Sequence, residues 1–128
     1  MQTSPVDPVR ADLGAYLLLV RKLDEFLHDN AARTFHSADV AREFKVSVRT
    51  LNNAVVAIRG MSMHRYIRLR RLWSVRQQLV QGASIDAMKA IALANGFWHM
   101  GEFRTLYRDL FGETPQQTCL AVRGRDGG

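Results

Sequence analysis

Two stretches of this chain rhyme, and that duplication constrains the fold more than any other feature. Val40-Ala41, with Val46 five residues after the alanine, is matched by Ile91-Ala92 with Phe97 five residues later. Leu51 and Val55 are matched by Phe103 and Tyr107, and Gly60-Met61-Ser62 by Gly112-Glu113-Thr114. The offset is 51 residues at the start and 52 from the second helix onward, so the second turn carries one added residue. Each copy lays out a short helix, a tight turn, a second helix, a glycine stop and a capped start, the plan of a helix-turn-helix. The small Ala41 and Ala92 let two helices approach closely. Val46 and Phe97 fill the turns, and Leu51 with Val55, like Phe103 with Tyr107, anchors the second helix of its copy.

Around the repeat, apolar residues recur at three- and four-residue steps, the period of an amphipathic helix. Leu13, Tyr16, Leu17, Val20, Leu23 and Leu27 predict a first helix from about Asp12 to about Asn30. Ser37 reads as an N-cap for a short helix over Ala38 to Phe44, with Asp39 in the first turn where a negative charge favours the positive helix end. Ser47 caps a helix to about Arg59, stopped by Gly60. Ser62 caps a long helix to about Gln81, with Tyr66, Leu69, Leu72, Trp73, Val75 and Leu79 on its expected buried stripe and Gly82 at its end. Further helices are expected from about Asp86 to Asn95, stopped by Gly96, and from about His99 to Phe111, stopped by Gly112. Thr114-Pro115 then supplies the cap and first position of a final short helix.

No segment carries a strand pattern, so the class is all-α: about seven helices forming two helix-turn-helix subdomains joined by a long linker helix. The expected segments are a flexible leader over 1–11, a first subdomain over 12–61, the linker helix over 62–82, a second subdomain over 83–122 and a flexible tail over 123–128. A linker helix of roughly 20 residues is about 30 Å long at ~1.5 Å per residue. Successive major grooves on one face of B-DNA lie about 34 Å apart, so such a helix would hold two reading heads one turn apart within one chain.

Charge points the same way. Between Glu43 and Asp86 lie 42 residues without an acid, and they carry Lys45, Arg49, Arg59, Arg65, Arg68, Arg70, Arg71 and Arg76. Solvated helices ordinarily mix both signs; a one-signed stretch of this length within a chain of net charge +6 implies a polyanionic partner. Other functions find little support. His28, His36, His64 and His99 show no metal spacing with one another or with Cys119, and no glycine-rich phosphate loop follows a strand. Cys119, the single cysteine, neighbours Leu120 and reads as packed rather than nucleophilic. Neither catalysis, a cofactor nor a metal is expected. The longest apolar run, Ala15 to Val20, is too short to span a bilayer, and Met1 to Val9 lacks the plan of a signal peptide, so a cytoplasmic location is expected with no membrane partner.

The assembled segments resemble the DNA-binding domain of the AraC/XylS family. The matching stretches are Ser47-Val48-Arg49-Thr50-Leu51, Gly60-Met61-Ser62, Tyr66-Ile67-Arg68-Leu69-Arg70-Arg71-Leu72, Gly96-Phe97-Trp98-His99, and Phe103-Arg104-Thr105-Leu106-Tyr107-Arg108 leading into Leu110-Phe111-Gly112-Glu113-Thr114-Pro115. The similarity covers about residues 17 to 121, and its most specific part is the closing block from Gly-Phe to Gly-Glu-Thr-Pro. Five positions depart from the family pattern: Lys45 in place of the turn glycine, Met63 in place of a proline after Ser62, Thr105 in place of arginine, and the pair Asn52-Asn53. Many relatives carry a separate N-terminal effector domain. This chain has no room for one, so it looks like a stand-alone regulator or a piece of a longer one, with no effector ligand expected within it. The resemblance implies a bacterial transcription regulator, more often an activator, with duplex DNA and RNA polymerase as partners and the nucleoid as its location when bound.

On the helix-turn-helix plan, side chains in the first half of each second helix face base edges. In the first unit these are Val48, Arg49, Thr50, Asn52 and Asn53; arginine can pair bidentately with guanine and asparagine with adenine. In the second unit they are Met100, Arg104 and Thr105, with Glu102 a further candidate. Phosphate contacts are expected from Arg65, Arg68, Arg108, His99 and the helix starts at Ser37, Ser47 and Ser62. Trp98 is expected to pack under its turn. Of Arg70 and Arg71, one should face solvent or DNA and the other brace the two units through a carboxylate. The rival readings are a helical protein-interaction module and a degenerate DNA-binding fold that no longer reads bases.

Overall fold

A computed structural model describes residues 13–31, 33 and 35–127 of the chain. The expected leader over 1–11 and residue 128 of the expected tail lie outside the described residues. Among the described residues there are seven α-helices and no strand: α1 (Leu13–Asp29), α2 (Ser37–Glu43), α3 (Val48–Arg59), α4 (Met63–Val80), α5 (Met88–Ala94, entered through a 3-10 turn at Ile85–Ala87), α6 (Met100–Phe111) and α7 (Pro115–Gly127). They divide into two units. The first takes α1, α2, α3 and α4 as far as Arg68; the second takes Ala31, Arg33 and everything from Leu69 onward.

The first unit closes on one apolar core. Leu19, Val20, Leu23, Phe26 and Leu27 of α1 meet Val40 and Ala41 of α2, Leu51, Ala54 and Val55 of α3, and Met63 and Tyr66 of α4. At about 1.5–3 kcal/mol for each large side chain removed from water, this cluster is the main support of the unit. The stripe on α1 is rotated from the expected one: Leu13 and Leu17 are 42% and 38% exposed, while Leu19 and Phe26 are buried. Aromatic packing accounts for the Phe26 position. Its ring lies edge-on to Phe35 at 5.0 Å and to Phe44 at 6.3 Å, a geometry that rings prefer over face-to-face stacking.

In the second unit, Leu72, Val75 and Leu79 of α4 pack with Met88 and Ala92 of α5, Phe103 and Tyr107 of α6, and Cys119 of α7. The cysteine is fully buried, and that burial pushes its thiol above the usual range. Trp73, expected on the buried stripe of α4, is instead 50% exposed, held edge-on against Phe111 at 5.0 Å. The expected linker is present as α4, yet its residues are shared out between the cores: Met63 and Tyr66 to the first, Leu72, Val75 and Leu79 to the second.

Local chemistry sets the helix ends. Ser47 Oγ accepts from Thr50 N–H at 3.0 Å, Ser62 Oγ from Arg65 N–H at 3.2 Å, and Ser84 Oγ from Ala87 N–H at 3.2 Å. Thr114 and Gln117 form a reciprocal capping box, each side chain accepting from the other's backbone N–H. Gly60 and Gly112 end α3 and α6 in the left-handed conformation, at φ +73° and +75°. One start moves by a residue: His36 precedes α2 and Ser37 is its first helical residue. The last helix, expected to be short and frayed from Arg123, continues to Gly127.

Candidate nucleic-acid interface

The two helix-turn-helix copies share the backbone hydrogen bonds that close their turns and open their second helices. Val46 N–H donates to Ala41 carbonyl at 2.9 Å, and 51 residues later Phe97 N–H donates to Ala92 carbonyl at 3.0 Å. One residue before each, the backbone turns left-handed: Lys45 at φ +60° and Gly96 at φ +89°. The second helices then start at Ser47 and His99, whose carbonyls accept from Leu51 at 3.0 Å and Phe103 at 2.9 Å, now 52 residues apart. The added residue of the second copy therefore lies between Phe97 and His99. It is Trp98.

In the first unit, α3 buries Leu51, Ala54 and Val55 and turns Arg49, Asn53 and Val56 outward. Their spacing of four and then three residues puts these three on one face. Val48 is also exposed, at 41%. Thr50 is half-buried and its hydroxyl accepts from Ser47 Oγ at 2.9 Å, which draws it toward the cap. Asn52 departs from expectation: its side-chain oxygen accepts from Met63 N–H at 3.0 Å. Met63 is the first residue of α4, where a backbone N–H has no partner inside the helix. Where the family carries proline no such donor exists, so the two departures at Asn52 and Met63 compensate one another. Val56 was not anticipated, although its spacing from Arg49 and Asn53 could have found it.

In the second unit, α6 buries Phe103 and Tyr107 and exposes Gly101, Arg104, Thr105 and Arg108, which share a face by the same spacing. Glu102 and Asp109 are exposed beside them. Thr105 Oγ1 donates to Gly101 carbonyl at 3.1 Å. Met100, expected at a base edge, is half-buried against the second core. Trp98, expected to pack under the turn, is 64% exposed. His99 serves as the N-cap through its backbone carbonyl, and its side chain makes no cap bond.

Among the phosphate candidates, Arg65, Arg68 and Arg108 are exposed, as are Ser47 and Ser62 at their helix starts. Ser37 is poorly placed for an anion. Asp39 Oδ2 accepts from His36 N–H at 3.4 Å, so a carboxylate already occupies that helix start.

Arg59, Arg71 and Arg76 of the acid-free stretch serve the fold. Arg59 donates to Tyr66 hydroxyl at 3.3 Å and pairs with Asp24 at 3.4 Å, and the tyrosine contact chiefly raises its pKa. Arg76 donates to Tyr107 hydroxyl and to Glu113, each at 3.4 Å, and lies over the Phe111 ring. Arg71 is half-buried and donates to Arg33 carbonyl at 2.7 Å; burial lowers its pKa from the ordinary value. Lys45, Arg49, Arg65 and Arg68 remain exposed.

The sequence pattern of the family described as "Helix-turn-helix domain" matches residues 40–119. The chain is 35% identical over 95 residues to the XylDLEGF operon transcriptional activator of Pseudomonas putida, an alignment covering 73% of this chain and 30% of that protein. It is 31% identical over 97 residues to the HTH-type transcriptional activator RhaS of Pectobacterium atrosepticum, covering 76% of this chain and 34% of that one. It thus spans about a third of the length of these relatives. The crystal structure of a probable AraC family transcriptional regulator from Rhodopseudomonas palustris superposes with a TM-score of 0.70 at 30% identity, covering 81% of this chain and 96% of that one.

Proposed function

The chain belongs to the AraC/XylS family of helix-turn-helix domains, and on that footing we propose that it is a DNA-binding transcription regulator, an activator, working in the cytoplasm. It is a binding module and not an enzyme. The observation that carries this reading is the pair of outward faces on corresponding helices: Arg49, Asn53 and Val56 on α3, and Arg104, Thr105 and Arg108 on α6. Both follow the turn of a helix-turn-helix, the element that such proteins lay in the major groove. Arg49 and Asn53 suit guanine and adenine edges, each good pair worth about 1–3 kcal/mol of discrimination. Val48 and Thr50 flank that face. Arg65, Arg68 and Arg108, with the helix starts at Ser47, Ser62 and His99, would hold phosphates, which position the protein without selecting a sequence. Activation would further require a contact with RNA polymerase.

Selection of bound sequences from a random duplex pool tests base reading. Two short motifs are expected, one for each unit; a single motif would make the second unit a clamp. A salt titration on random duplex tests the class of partner. Log affinity should fall linearly with log salt as phosphate counterions are released. A helical protein-interaction module would show almost no duplex binding at any salt, and that result would overturn the proposal.

A further inference from the structure

The second turn carries an insertion, and the inserted residue is an exposed tryptophan. Positions on either side of Trp98 match the first copy, with an offset of 51 through Phe97 and 52 from His99 onward. Ser47, the N-cap of α3, corresponds to His99, so nothing in the first unit corresponds to Trp98. An indole is among the largest apolar groups a chain can bury, yet this one is 64% exposed at the head of the helix proposed to enter the groove. The first core has no such feature to spare: its turn passes directly from Val46 to the Ser47 cap.

Charge shows what the indole would supply. The helix α3 carries the exposed Arg49 and no acid, its Arg59 being paired with Asp24, whereas α6 carries Glu102 and Asp109 beside Arg104 and Arg108. Attraction to phosphate is therefore weaker along α6, where an apolar contact would add the most. We infer that Trp98 is a duplex-contacting residue of the second unit, packing its ring on the apolar groups that a groove offers, thymine methyls and deoxyribose. The inference rests on the DNA-binding reading above and deepens it. It makes the second unit a reader of thymine content and backbone shape more than of hydrogen-bonding edges.

The chain has two tryptophans, so Trp73→Phe leaves Trp98 as the only indole reporter. The probes are a labelled A·T-rich duplex and the same duplex with uracil in place of thymine, bound at low salt and followed by anisotropy and by Trp98 emission. Binding should change the emission of Trp98. Trp98→Ala should weaken affinity about tenfold, within the range of one good groove contact, and Trp98→Phe should restore most of it. Since the ring is largely in solvent, circular dichroism and melting temperature should be unchanged in these variants. A loss of about fourfold on the uracil duplex that Trp98→Ala abolishes assigns the Trp98 contact to a thymine methyl, and the same loss or none in both proteins assigns it to deoxyribose. Duplex binding with unchanged Trp98 emission and full affinity in Trp98→Ala would overturn this inference and leave DNA binding standing. No binding to either duplex would overturn the DNA reading, and this inference with it.

Discussion

The two copies solve the same turn with different residues. Lys45 takes φ +60° in the first and Gly96 takes φ +89° in the second, and the hydrogen bonds that follow them correspond. A left-handed L-residue costs roughly 1–2 kcal/mol, and the first unit carries that cost at an exposed lysine. The second unit has less freedom. A Cβ on Gly96 would lie 2.6 Å from Arg71 Nη1 and 3.2 Å from its Cζ, where that guanidinium reaches Arg33 carbonyl. At Lys45 the backbone conformation is the whole demand for glycine, whereas at Gly96 a side chain would also require the Arg71 guanidinium to shift.

Gly96→Ala should be the most damaging single change at either turn. It combines left-handed strain with displacement of Arg71 from its carbonyl, for a loss of about 2–3 kcal/mol. Urea unfolding would measure it. A loss no larger than about 1 kcal/mol would mean that Arg71 swings aside freely and that only φ requires the glycine.

A second contrast lies at the start of the helix after each copy. Met63 offers an N–H that Asn52 accepts at 3.0 Å; the corresponding residue in the second copy is Pro115, which has no N–H to satisfy. The residue corresponding to Asn52 is then Arg104, which is exposed. Asn52→Ala should cost about 1–2 kcal/mol by leaving the Met63 donor without that acceptor. Placed in a Met63→Pro background, the same substitution should cost close to nothing. A double-mutant cycle with no coupling would show that the cap does not support the fold.

These contrasts mark how far the sequence could be read. The repeat, the glycine stops and the caps at Ser47 and Ser62 are all local, and each is legible from spacing and side-chain type; the left-handed turn at Lys45 is local too, but only the glycine that the family pattern carries there points to it. The inward turn of Asn52 is not local, because its partner lies 11 residues away on another helix. Trp73 and Trp98 were expected to be buried because hydrophobicity favours it. One lies edge-on to a single ring, and the other occupies an inserted position with no counterpart in the first copy. On α1, spacing allows two neighbouring apolar stripes, and the aromatic contacts of Phe26 with Phe35 and Phe44 favour the one that is buried. Spacing places residues on a helix face; packing partners decide which face is covered.

Lys45→Gly tests the backbone half of the turn comparison. Relief of left-handed strain is offset in part by the greater freedom of glycine in the unfolded chain, leaving a gain of about 0.5–1 kcal/mol. A melting temperature that is unchanged or lower would remove the strain argument at this turn.

The smallest effect expected concerns the two buried tyrosines. Tyr66 hydroxyl donates to Asp24 at 2.5 Å and accepts from Arg59, while Tyr107 hydroxyl shares a hydrogen bond with Thr118 at 2.7 Å and accepts from Arg76. Burial is the main cause that raises both above the ordinary tyrosine value of 10.0. Next in size, the Asp24 hydrogen bond raises Tyr66 further, whereas the Thr118 hydrogen bond lowers Tyr107. A raised value means that the folded state holds its proton where the unfolded chain has lost it. The contribution to stability is therefore complete below pH 10.0 and disappears as pH rises through the folded value. Tyr66→Phe should remove more of this alkaline loss than Tyr107→Phe, read as the change in urea midpoint between neutral solution and pH above 10.0. The reverse order would mean that the carboxylate beside Tyr66 is screened by Arg59, so that burial alone sets both groups.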